Sequence, residues 1–497
     1  MRTCTKISFV ICIVFSLLFF FGCDSPVEPE ATPTGATGPF KVTYVSNGGS
    51  SITAANVQGG QAATKPTNPV KSDYSFEGAD TSSPIETKYV FIGWYTDTAL
   101  TSRFDFSTKI NEDITLYAKW RPIAKSNIAF TPSGGSESVT YDKTEEIYAI
   151  DTNKTGTNIT SIKGATPSFI EDSADAMEKG VFWAGRTVEL SPFVMSRYEV
   201  TQKLYEDVMT GITFNNQTAN SANYAIVKES NGTTDAAGAS NYTITKTPSV
   251  CIVAANDPVY PVREGETANK RPVDNVTWYD AVYFCNKLSS ILNLTPAYNI
   301  SNITIVLDSD STTDGHITNA TVSLVSNANG YRLPTEAEWE FAARGGNTEI
   351  ASWSYMFSGS DTESEKKYDS VQNKGLDTTG WYAFNTSTAN GKTASTIPAV
   401  DDRDSWGTHE TGKKDYNELG LFDMSGNVAE WCYDSPLYAI DRDPAGATSN
   451  SNRVVRGGSW FNNASAAVVS HREVRDPKAK AATVGFRIVR SVPATTN

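Results

Sequence analysis

Thiols and imidazoles are scarce in this chain, and their placement limits the chemistry open to it. Six cysteines (Cys4, Cys12, Cys23, Cys251, Cys285, Cys432) and three histidines (His316, His409, His471) are the whole stock in 497 residues. The histidines are scattered, so no His cluster announces a metal site. One stretch nevertheless has the frame of an active-site segment. RVVRGGSWFNNASAAVVSHREVRDPKAKAATVGFRIVR, Arg453 to Arg490, opens on a Gly457-Gly458-Ser459 turn followed by Trp460 and closes on Val484-Gly485-Phe486-Arg487. No cysteine lies between Gly458 and Gly485. Paired glycines suit a turn at positive φ. Arg456 and Arg487 are expected to pair with a carboxylate or with loop carbonyls.

The elements around that frame can be read in order. Arg2 and Lys6 precede an apolar run from Ile7 to Phe21, too short for a comfortable membrane span and suited to an export signal. Phe20-Phe21-Gly22-Cys23 resembles the lipobox of bacterial lipoproteins, which makes residues 1–22 a signal peptide and Cys23 the lipidated mature N-terminus. Residues 23–40 are Pro-rich and polar, as a disordered tether would be. With the signal gone and Cys23 lipidated, Cys251, Cys285 and Cys432 remain, which allows at most one disulfide and one free thiol. The formal net charge of −14 argues against a nucleic-acid partner, and no basic run offsets it. Hydrophobic residues at 39% supply enough apolar side chains for substantial cores.

Residues 41–121 read as a β-rich module. Val42 and Tyr44, then Val90, Ile92 and Trp94, then Ile114, Leu116, Ala118 and Trp120 alternate with their neighbours as half-buried strands do. VTYVSNGG, FIGWYTD and ITLYAKW, in that order, resemble the internalin-type B-repeat, a β-grasp-like module of bacterial surface proteins. The resemblance implies a spacer or adhesive role. Residues 122–175 are rich in Ser, Thr, Asn and Gly and read as a linker or small β element.

Residues 176–491 have a different texture. Thr201 is a plausible N-cap for a helix carrying Leu204, Tyr205, Val208 and Met209 on one face, with Gly211 beyond it. Thr277 can cap a helix that buries Trp278, Val282, Cys285 and Leu288. Thr335 and Glu338 form a capping box, and Gly345 ends that helix. Polar insertions near 212–262 and 301–328 read as surface loops or hairpins. The blocks YEVTQ, GYRLPTEAEWEFAARGG, LGLFDMSGNVAEW, RGGSW and VGFR resemble the formylglycine-generating enzyme (sulfatase-modifying factor) family. The fold class this implies is α+β, an irregular C-type-lectin-like domain. Trp278, Trp339, Trp431 and Trp460 are expected to be core aromatics.

What the resemblance implies about chemistry is specific. Catalytic members hold copper(I) between two cysteines after the Gly-Gly-Ser turn, because a soft monovalent ion prefers thiolates. The matching positions here are Asn462 and Ala467, so copper is not expected. A site rebuilt from His471 and Cys432 would be the way to keep an oxidase. The family's non-haem iron branch needs a His cluster that this chain lacks. Structural calcium is implied at the Gly-Asn-x-x-Glu motif, with Asn427, the Val428 carbonyl and Glu430 as oxygen ligands, and a second set at Tyr368–Asn373. Cys285 and Cys432 fall in blocks that both face the core, compatible with a disulfide. The first expectation for function is a non-catalytic cell-envelope lipoprotein that binds a protein, peptide or glycan. The second is a formylglycine-generating-type oxidase, or another metal-dependent modifying enzyme, with displaced ligands.

Overall fold

The protein is described from a computed structural model over residues 38–71, 74–75, 86–100, 102–106, 108–124, 128–130, 139–141, 147–149, 160–163, 180–183, 186–191, 193–215, 224–230, 233–236, 241–244, 248–249, 265–307, 315–346, 351–360, 373–386, 407–436 and 452–491. The expected signal peptide, Cys23, Cys251 and positions 368–372 of the second calcium set lie outside the described residues. Strands are many and short and helices few, so the α+β class holds.

The N-terminal module is a five-stranded sheet in the order Ala55–Gln58, Pro39–Val45, Ile114–Ala124, Glu86–Tyr95, Tyr74–Ser75, with a small two-stranded sheet of Gln61–Ala62 and Lys109–Ile110 beside it. Its central pair is parallel, with Val42 opposite Ile114, and the other pairs are antiparallel. The alternation read from the sequence places Val42, Tyr44, Trp94, Leu116 and Ala118 in a single apolar cluster. A register shift between Phe91 and Gly93 lets Phe91 and Trp94, three positions apart, face the same core.

Three of the four α-helices among the described residues of the C-terminal domain start where their caps predict. Thr201 accepts from the Leu204 amide and opens α1 (Gln202–Met209), whose Leu204, Tyr205, Val208 and Met209 are buried. Thr277 and Asp280 form a capping box at α2 (Trp278–Ile291). Thr335 and Glu338 form another at α3 (Glu336–Ala343), and Gly345 comes next at φ +82°. Every residue of α3 is buried, so this helix is a core element and not a surface one. The short α4 (Lys374–Thr379) is capped by Asn373, whose side chain accepts from the Gly375 and Leu376 amides.

One expectation changes and another is narrowed. Residues 122–175 hold strands that join the larger domain: Ile147–Ala149 pairs with Phe193–Ser196, and Thr160–Lys163 pairs with Thr187–Leu190. Of the two forms expected for the polar insertions, loops or hairpins, the described residues are hairpins. Tyr224–Ser230 runs parallel to Tyr298–Leu307, which pairs with Gly315–Leu324, and Thr233–Ala236 completes a four-stranded sheet. The inner face of this sheet puts Ile303, Ile305, Leu307, Ile317 and Ala320 into the same core as α2. In Tyr298–Leu307 and Gly315–Leu324, alternation buries most of the apolar side chains while Ser, Thr and Asn stay outside.

Two further sheets close the domain. Phe193–Ser196, Val489–Ser491 and Tyr331–Arg332 lie side by side. Ala429–Trp431 pairs antiparallel with Arg453–Arg456 and parallel with Val484–Gly485. The second of these carries both ends of the Gly-Gly frame and the Asn-x-x-Glu motif into one place.

Candidate functional site

The Gly457-Gly458 turn is built from backbone that only glycine tolerates. Gly457 lies at φ +94° and Gly458 at φ +66°. A Cβ on Gly458 would sit 2.7 Å from the Ala466 carbonyl oxygen. The turn is supported from beneath by buried ion pairs. Arg456 lies 3.3 Å from Glu336 and also bonds Glu340, Arg472 bonds Glu336, and Arg344 bonds Glu340 at 2.9 Å. Glu336 and Glu340 are one helical turn apart on α3, so a single helix face presents both carboxylates to the three guanidinium groups.

Asn462 and Ala467, the positions expected to match the thiols of catalytic members, are both engaged by protein contacts. Ser459 Oγ donates to Asn462 Oδ1 at 2.6 Å, and the Asn462 carbonyl accepts from the Ala383 amide at 3.0 Å. Ala467 is 1% exposed and packs with Met356, Phe357, Leu376 and Tyr382. An amide oxygen is a hard donor and a methyl group donates nothing, so copper(I) finds no thiolate at either position.

The remaining thiols lie elsewhere. Cys285 and Cys432 are both free and fully buried, so the disulfide that their blocks left open is not formed. Cys285 belongs to the cluster around α2 and Cys432 to the cluster around α3. Burial pushes both thiols well up, away from the thiolate form a nucleophile or copper ligand needs. His471 is half-buried at the base of Arg472–Arg475. His316 bonds Asp280 at 2.8 Å beside α2, and His409 bonds Glu266 at 2.6 Å while stacking on Trp381 at 3.4 Å.

The expected core aromatics are buried and each indole N–H finds an acceptor: Trp278 to Cys432 O, Trp431 to Val276 O, Trp460 to Ala482 O, and Trp339 to Glu430 Oε2. That last contact leads to the densest group of charges around the motif. Arg487 grips Glu430 through two bonds of 2.6 Å and also donates to the carbonyls of Ser196 and Phe422. Asn427 donates to Glu199 Oε2 at 2.8 Å and accepts from the His409 amide, and the Val428 amide donates to Glu199 Oε1 at 3.1 Å. Asp423 accepts from the Gly412 amide with Oδ2, while its Oδ1 is buried without a hydrogen-bond partner.

Three buried carboxylates, Glu199, Asp423 and Glu430, thus lie around one guanidinium, which bonds Glu430 and acts on the other two through its charge, with Lys414 also favouring the Asp423 charge. Burial, reinforced by Asp423 and Glu430, pushes the Glu199 carboxyl well above its usual range. Burial raises Asp423 to about 6, against the opposing pull of the Gly412 N–H and Arg487. Sequence reasoning points to Asn427 and Glu430, whose polar atoms are engaged by protein groups, and misses Glu199 and Asp423. Their one visible signal is an acid inside otherwise apolar blocks, YEV and LFDM. Gly426 makes this loop possible: at φ +105°, a Cβ would meet the Trp381 carbonyl oxygen at 2.2 Å. A Gly426→Ala variant is expected to lose at least ~2 kcal/mol in urea unfolding, and a loss under half that would contradict the packing described.

The sulfatase-modifying factor enzyme 1-like domain family matches residues 145–492, from just before the Ile147–Ala149 strand to just past the Val489–Ser491 strand. The chain belongs to that family. Residues 40–78 and 79–119 each match the Listeria-Bacteroides repeat domain, and both contribute strands to the five-stranded N-terminal sheet. The sulfatase-modifying factor domain starts about 30 residues earlier than the texture change at 176 suggests, because the strands at 147–149 and 160–163 pair into it.

Relatives with this domain carry different names. The chaperone protein LppX of Paenibacillus barcinonensis is 29% identical over 328 residues, 65% of this chain and 90% of the relative. The formylglycine-generating enzyme of Streptomyces coelicolor is 31% identical over 176 residues, so the match spans 33% of this chain and 48% of that enzyme. Among solved structures, Treponema denticola variable protein 1 is similar at 28% identity and a TM-score of 0.42, with 67% of this chain and 95% of that chain covered.

Proposed function

We propose that the protein is a non-catalytic, lipid-anchored component of the bacterial cell envelope whose sulfatase-modifying factor domain binds a partner instead of oxidising a thiol. The observation that carries this reading is the state of the two thiol positions. Asn462 is tied to Ser459 and Ala467 is packed into an apolar cluster, so the frame is kept and its reactive pair replaced by folding contacts. A rebuilt oxidase site would need Cys432, which is 0% exposed and held in its thiol form by burial. The name of the Paenibacillus relative, a chaperone, favours a protein or peptide over a glycan as partner. Anchoring would fall to Cys23, since among the described residues no helix is long and apolar enough to cross a membrane.

Incubation of the purified chain with copper, oxygen and a sulfatase-type Cys-containing peptide is expected to yield no aldehyde above a protein-free control. Turnover abolished by His471→Ala or Cys432→Ala would replace this reading with the oxidase.

Calcium belongs to the same reading as a structural ion. Asn427, Glu430 and both oxygens of Glu199 are engaged by protein groups, so Asp423, whose Oδ1 has no hydrogen-bond partner, would be the first to supply a carboxylate oxygen beside the Asn427-Val428 turn, as a hard cation requires. Bound there, calcium would neutralise acids that Arg487 alone does not balance.

A further inference from the structure

A polar seam joins the N-terminal module to the sulfatase-modifying factor domain. Tyr95, at the end of the Glu86–Tyr95 strand, is 2% exposed yet lies outside the module's own apolar cluster. Its strand neighbour Trp94 points into that cluster, so alternation turns Tyr95 to the opposite face. There its hydroxyl donates to Glu418 Oε2 of the larger domain at 2.5 Å. Arg103 lies 3.5 Å from the other oxygen of the same carboxylate and donates to the Gly359 carbonyl at 3.3 Å. Gly93 leaves the room this needs, since a Cβ there would stand 3.0 Å from Arg103 Nε. The Tyr416 hydroxyl returns a bond to the Phe91 carbonyl. At the exposed rim, Lys65 pairs with Asp415 at 2.9 Å.

We propose that this seam is a latch keyed on Glu418, and that the repeat module is a docked part of the C-terminal domain and not a free spacer. The buried contacts decide this. Glu418 is only 6% exposed in its side chain, and a carboxylate that far from water is tolerable only with donors at both oxygens. Both donors come from the module. The Lys65–Asp415 pair, half exposed at both ends, adds little. On the domain side, Glu418 comes after Asn417, which bonds the last carbonyls of α3 and the Ser358 hydroxyl. The latch therefore closes on rigid backbone rather than on a loose loop, and the module's orientation is fixed relative to α3 and the Gly-Gly frame.

Calorimetry and X-ray scattering of the full chain test this together. The wild type is expected to unfold in one transition. Glu418→Ala is expected to split it, the module melting first by several degrees, with a larger maximum dimension and an unchanged transition for the C-terminal domain. That last readout separates a lost latch from a damaged domain. Arg103→Glu should uncouple the two in the same way, and Arg103→Glu combined with Glu418→Arg should recouple them. Should Glu418→Ala not fold, Tyr95→Phe must still lower the module's transition. Two independent transitions in the wild type, unchanged scattering in Glu418→Ala, or a charge-swapped double variant that stays uncoupled would each overturn the proposal.

Discussion

Replacing Arg487 by methionine is expected to destabilise the C-terminal domain by about 3–5 kcal/mol in urea unfolding, the range for stranding one partner of a buried ion pair. The upper end is favoured because Arg487 serves more than Glu430. It is the guanidinium beside three buried acids, and Glu199 and Asp423 lean on its charge as well. Methionine fills much of the volume but leaves the carbonyls of Ser196 and Phe422 without their donor. The deficit should be smaller at pH 5 than at pH 8, since protons can replace the missing cation on the stranded carboxyls. A double variant, Arg487→Met with Glu430→Leu, should recover part of the loss because one stranded charge is gone. A single-variant cost below ~1 kcal/mol would contradict the burial and geometry of this pair.

The parts of this fold that are legible in sequence are the local ones. A threonine three residues before its hydrogen-bond partner caps α1, α2 and α3 through contacts within one turn, and such contacts need nothing from the rest of the chain. Alternation likewise locates the strands of the N-terminal module. What escapes is non-local. The parallel pairing of Tyr224–Ser230 with Tyr298–Leu307 joins segments far apart, and the Ser, Thr and Asn on the outer face of Tyr298–Leu307 mask its apolar inner set. The charge centre escapes for the same reason. Glu199, Asp423, Glu430 and Arg487 come from three separate family blocks, and nothing in one sequence says that these acids, out of many, lie around one arginine.

The thiol positions show the opposite case. Asn462 and Ala467 are read as the matching positions by counting from the Gly-Gly turn. Their partners are not: Ser459 for one, an apolar pocket built from α4 and the Met356-Phe357 segment for the other. Absence of a ligand type can be read from sequence, but the new contacts of a substituted position depend on packing. The same distinction explains the disulfide. Two cysteines in core-facing blocks can still belong to different clusters, and here they do.

The acid centre makes a second large prediction, and its sign is opposite to that of an ordinary salt-bridged carboxylate. Asp423 is raised from 3.8 to about 6 in the fold. Between those two values the folded form keeps a proton that the unfolded chain releases, so its contribution to stability is full below about pH 4 and is lost as pH rises through about 6. At 1.36 kcal/mol per unit the loss approaches ~3 kcal/mol by pH 7, and Glu199, raised by burial and by Asp423, extends it. Paired acids such as Glu430 tilt the total curve the other way, so the informative quantity is a difference between two proteins. Asp423→Asn should equal the wild type at pH 4 and exceed its stability by about 2 kcal/mol at pH 7, because an amide can keep the Gly412 bond without carrying charge. Calcium sharpens the test. If Asp423 holds the ion, calcium at a hundredfold its dissociation constant should add about 2.7 kcal/mol to the wild type at pH 7 and nothing to Asp423→Asn. Parallel pH curves for the two proteins would mean that the carboxyl is not strained by its burial. A calcium effect that survives the substitution would place the ion elsewhere. Both results depend on one physical circumstance, that three buried acids around Asn427 have a single arginine among them.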